Sequence, residues 1–109
     1  MKKTASISQK VSTIATLLPI LNIFIIKDEG RYMAKCTEID LVTEMNTEEE
    51  AKGALLEMIK EYAEDYQKNL NKYLKSPNRS HHKPYVDRIL ACTNDWELME
   101  LIEIRYGHV

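Results

Sequence analysis

A chain of 109 residues, 44% hydrophobic, with a net charge of −2, has room for one domain with an appendage and enough apolar residues for a modest core. That composition excludes a fully disordered chain, and so small a net charge names no class of partner. Two cysteines, Cys36 and Cys92, make no disulfide framework, so a reducing compartment, the cytoplasm, is expected; the alternative is a single bridge in an exported chain.

The charges are segregated. Residues 1–27 carry +4, residues 28–65 carry −8, residues 66–86 carry +5 with no acid, and residues 87–109 carry −3. Such blocks point to charged partners or to a self-complementary assembly.

In chain order, residues 1–10 read as a polar lead-in. Val11–Ile26 is apolar and follows Lys2, Lys3 and Lys10, as the core of a signal peptide would. Ser12, Thr13, Thr16, Pro19 and Asn22 interrupt it, and no small-x-small cleavage site precedes Asp28-Glu29, so a leader is not expected. The run is also shorter than the roughly 20 apolar residues that span a bilayer, so no membrane role is expected. Residues 11–18 suit either an extra strand or a short helix ended by Pro19.

Leu21–Lys27 is rich in β-branched residues and reads as a strand. Asp28-Glu29-Gly30 is a turn, with Gly where positive φ costs least. Arg31–Thr37 alternates, with Tyr32, Ala34 and Cys36 on one side and Arg31, Lys35 and Thr37 on the other; Leu41–Met45 is a third short strand. Thr47-Glu48-Glu49-Glu50 is a capping box, in which the Thr47 hydroxyl accepts from the Glu50 amide and the Glu50 carboxylate reaches back to the Thr47 amide.

The helix that follows carries Ala51, Leu55, Met58, Ile59, Tyr62, Tyr66, Leu70 and Tyr73 at steps of three and four, one apolar stripe ending near Lys75 before Ser76-Pro77-Asn78. Its tyrosines read as core and rim residues rather than a stacking platform. Gly53 inside it costs about 1 kcal/mol relative to Ala, which suggests close approach to the sheet. The fold expected is α+β: a three-stranded antiparallel sheet with room for a fourth, N-terminal strand, packed on one long helix, with short C-terminal helices. Residues 1–75 form the α+β domain and 76–109 a helical extension.

IIKDEG (25–30), RYMAKCTEI (31–39), LVTEMNT (41–47) and EEEAKGALLEMIKEY (48–62) occur in an order and spacing that resemble the HicB-type antitoxin domain. The resemblance covers residues 21–66, under half of the chain. This chain has Thr37 where that family usually has Pro, and Met45 where it usually has Gly. The resemblance implies a binding protein without enzyme activity, which neutralises a small basic ribonuclease toxin and often carries a C-terminal DNA-binding element. The partner surface it suggests runs along the second strand, its turn and the third strand: Tyr32, Lys35, Glu38, Asp40 and Glu44. A stand-alone homo-oligomer of the same fold is the alternative.

Beyond residue 75, SPNRSHHKP (76–84) is a loop. Pro84 suits a first helical position, with Val86, Ile89 and Leu90 apolar after it. Asn94 and Glu97 repeat the capping signature, and Trp96–Ile104 reads as a second short helix ended by Gly107. Asp95, Glu97, Glu100 and Glu103 would repel phosphates, so this pair of helices is a poor DNA reader. The better nucleic-acid candidates are Lys68, Lys72 and Lys75 on one helix face, with Arg79 and Lys83 beyond; a solvated basic face, or docking on the acidic block of a neighbouring subunit, are the other uses. His81 and His82 read as exposed loop residues and, being adjacent, make a poor metal pair. No phosphate loop, nucleophile elbow or HExxH occurs, and no cofactor is expected.

Overall fold

The computed structural model describes residues 21–107. Strands β1 (Leu21–Asp28), β2 (Arg31–Cys36), β3 (Leu41–Met45) and β4 (Ile102–Gly107) form one mixed sheet in the order β3-β2-β1-β4. The first three pair antiparallel, with Ile25 opposite Ala34 and Lys35 opposite Val42, while β4 runs parallel to β1 with Ile23 beside Ile104. Glu29 (φ 50°) and Gly30 (φ 79°) are both left-handed, the two-residue turn whose twist matches a hairpin.

Helix α1 (Glu48–Lys68) is opened by Thr47, whose Oγ1 accepts from the Glu50 amide at 3.1 Å. The Glu50 carboxylate accepts from the Thr47 hydroxyl, at 2.9 Å, rather than from the Thr47 amide. Three glutamates in the first turn suit the helix dipole. Ala51, Leu55, Ile59, Tyr62, Ala63 and Tyr66 are buried against Leu21, Ile23, Ile25, Ala34 and Cys36. Each large aliphatic side chain so buried contributes about 1.5–3 kcal/mol. Met58, Leu70 and Tyr73 cover the edges of this core.

Three local readings are revised. The helix does not run unbroken to Lys75: Asn69 (φ −119°, ψ 39°) interrupts it, and α2 (Leu70–Leu74) follows as a separate turn. The Asn69 side chain donates to the Asp65 carbonyl, local competition that polar side chains offer a helix. Gly53 faces solvent, and a Cβ there would meet nothing within 4 Å, so close packing does not explain it. The reading of Trp96–Ile104 as helix is corrected too. Helix α4 (Asp95–Glu100) stops at Glu100, and Ile102–Gly107 is strand β4. Period two in Ile102-Glu103-Ile104-Arg105 wins because β1 offers a free edge, and Gly107 lies in the strand instead of capping a helix.

The fourth strand is therefore C-terminal, and the readings placed on residues 1–20 lie outside the described residues. Between the sheet elements, a turn of 3-10 helix (Ser80–His82) leads into α3 (Lys83–Leu90), with Pro84 in its first turn. Val86, Ile89, Leu98 and Leu101 join the same hydrophobic core as the strands. The other sheet face carries Asn22, Phe24, Ile26, Met33, Lys35, Val42 and Glu44, none of them in that core.

Candidate functional site

The five residues expected to meet a partner do not form one surface. Tyr32 lies on the helix-covered side of β2, half-buried, with the Lys27 ammonium 5.6 Å from its ring centroid. Lys35 and Glu44 lie on the opposite, open face, beside Val42 and Met33 respectively. Glu44 pairs with Arg31 at 3.3 Å. Glu38 is occupied internally: its carboxylate accepts from the Asn22 amide and the Asn22 side chain, both at 2.8 Å. Its charge and, more strongly, burial push the neighbouring Cys36 thiol up to about 12, so that sulfur is an inert core atom. Asp40 takes a left-handed conformation (φ 54°) that Asp tolerates, at the end of the β2–β3 turn.

The basic stretch divides as well. Lys68, Lys72 and Lys75 are exposed and form no ion pair among the described residues. The break at Asn69 puts Lys72 and Lys75 on α2 and its cap, not on a continuation of α1. Arg79 turns inward, its guanidinium 5.5 Å from the Tyr62 ring centroid, and Lys83 is held by Asp87 at 2.7 Å. Lys72, Tyr73, Ser76 and Arg79 line an open hollow of about 260 Å³, and Lys68 and Lys72 share a second, more open one.

Two features were not expected from the sequence. His82 is fully buried, not a loop residue in solvent. The Tyr62 hydroxyl lies 2.6 Å from its Nδ1; in the neutral ring that accepts there, the proton sits on Nε2, facing Asp40 Oδ2 at 3.6 Å. That separation is too long for a good hydrogen bond, and Nε2 has no other partner among the described residues. Burial, then the neighbouring His81, lower the His82 pKa; Asp40 opposes them. The cluster clamps loop 76–82 to α1, with Tyr66 donating to the carbonyls of Arg79 (2.9 Å) and Ser80 (3.3 Å). A histidine beside a 3.6-period tyrosine stripe is a weak signal for this.

The second feature is Trp96, 78% exposed on α4. Asn94 caps α4, accepting from the Glu97 amide at 2.9 Å, and the Glu97 carboxylate accepts from the Thr93 amide at 2.6 Å. The Thr93 amide, then the Thr93 hydroxyl at 2.8 Å, keep the Glu97 carboxyl below its usual range. Leu98 and Leu101 turn inward, so helical spacing turns Trp96 and Met99 outward together. Three-residue spacing between Leu98 and Leu101 is the one sequence signal that bears on this.

A family model described as PHD_like, antitoxin of toxin-antitoxin, RelE / RelB, TA system, matches residues 7–104. The chain belongs to this antitoxin family. The crystal structure of an antitoxin part of a proposed toxin/antitoxin system from Syntrophomonas wolfei subsp. wolfei is similar over 91% of this chain and 71% of that one, with a TM-score of 0.74 and 26% identity. A search of the curated proteins finds no match. The antitoxin is therefore a regulatory protein of α+β fold whose family implies a toxin partner. Among its described residues no helix is long and apolar enough to cross a membrane.

Proposed function

We propose that this antitoxin neutralises a small basic ribonuclease toxin by direct binding, in the cytoplasm, as a homo-oligomer and without enzyme activity of its own. The observation that carries the reading is the antitoxin family match across residues 7–104, which takes in both the sheet and the C-terminal elements. Charge agrees with it: residues 28–65 hold −8, which suits a cationic partner. The finer HicB-type relationship rests on the order of the motifs in residues 21–66. The division into residues 1–75 and 76–109 belongs to the same reading, with both parts contributing strands to one sheet and side chains to one core.

The test is co-expression with the protein encoded by the adjoining open reading frame. The two should co-purify, and this chain should block that protein's cleavage of RNA. Failure of both would remove the antitoxin reading for this chain. A second reading, a weak nucleic-acid contact, is favoured by Lys68, Lys72 and Lys75 having no ion pair among the described residues. Binding of this kind is salt-dependent, so absence of RNA or DNA binding at low salt removes it.

A further inference from the structure

The single tryptophan of this chain is the most exposed large apolar side chain among the described residues, on a helix with three acids and no base. Trp96 is 78% and Met99 44% exposed, and they lie three residues apart on the outward side of α4. The helix is not loose: Asn94 caps it, Leu98 is buried, and Lys60 of α1 holds Asp95 at 3.0 Å. An exposed indole on a helix already held in place is an arrangement that interface anchors use, because the backbone that carries it needs no ordering on docking. Beside it, Lys60, Glu64, Leu90, Asn94, Asp95 and Leu98 line an open groove of about 230 Å³ between α1 and the α3–α4 corner.

Charge selects the occupant. Helix α4 carries Asp95, Glu97 and Glu100 and no base; Asp95 and Glu97 are engaged internally, whereas Glu100 forms no ion pair among the described residues. A second copy meeting this helix across a two-fold axis would bring like charges together. We propose that Trp96 and Met99 are the apolar anchor, and Glu100 the electrostatic guide, by which this chain docks into an apolar pocket rimmed by Lys or Arg on its toxin. The inference rests on the antitoxin reading above and assigns its contact point.

The experiment uses the full chain and the protein encoded by the adjoining open reading frame. Trp96→Ala should weaken the complex by at least about 30-fold, Trp96→Phe by less, and Glu100→Lys by about 5-fold with a shallower salt dependence. Thermal unfolding of Trp96→Ala should match the parent, because the indole is mostly in water. Labelled with 5-fluorotryptophan, this chain should give one fluorine resonance that moves on binding. If the parent binds and Trp96→Ala binds within twofold of it, or the resonance stays put in the complex, the anchor is elsewhere. If the parent forms no complex, the antitoxin reading fails and the anchor with it.

Discussion

Residues 21–68 and residues 76–107 enter the same core by different routes. In the first region each element is specified locally: alternation in β1 and β2, a left-handed Glu29-Gly30 turn, and a Thr47 cap on a 21-residue helix. In the second, the helices have eight and six residues, too short to persist in water alone. They are held from outside, by the Tyr66 hydroxyl on two loop carbonyls, the Tyr62–His82 contact, the Lys60–Asp95 pair and the Leu101 carbonyl accepting from the Leu21 amide at 2.9 Å. The C-terminal segment, which carries Trp96, thus depends on tyrosines of α1.

Breaking that dependence should have the largest effect. Tyr66→Ala removes a fully buried ring and leaves the Arg79 and Ser80 carbonyls without their donor, a loss of about 3–5 kcal/mol in urea unfolding. Equal midpoints for variant and parent would mean the loop does not hang on α1.

His82 ties the second region to pH. Its folded pKa lies below the unfolded value of about 6.5, so in the window between the two the unfolded chain binds more protons. Stability should therefore fall as pH falls through that window, and His82→Phe should flatten the dependence. Tyr62, Asp40, His81 and Arg79 are the polar groups around it. An unchanged slope in the variant would place the titration at another group.

Smaller changes sharpen the contrast from the other side. Gly53→Ala should stabilise α1 by about 0.5–1 kcal/mol, since the site is helical, exposed and open to a methyl group; a lower melting temperature would contradict this. Lys60→Met should barely move the unfolding midpoint, because its pairs with Glu57 and Asp95 are solvent-exposed. A large shift would show that the corner at α4 is held by charge rather than by Leu98.

The hairpin, the third strand, the capped helix and its tyrosine stripe were legible in the sequence, because period, turn and cap are written within a few residues of one another. Of the expected partner residues, the sequence placed Tyr32 and Lys35 on opposite sides of their strand, but it did not reveal that Glu38 is spent on Asn22. Nor could it show that Arg79 lies over the Tyr62 ring and Lys72 near the Tyr73 ring, while Lys68 and Lys75 form no ion pair among the described residues.

What the sequence by itself determined is the α+β class and the antiparallel unit, since hydrophobic period and local hydrogen bonding suffice for those. Only the tertiary structure decided that residues 102–107 are a strand, that His82 is core and that Trp96 is surface. A six-residue segment satisfies helix and strand periods almost equally, and the choice falls to whichever neighbour offers hydrogen bonds. Here that neighbour is the free edge of β1, some eighty residues away in sequence.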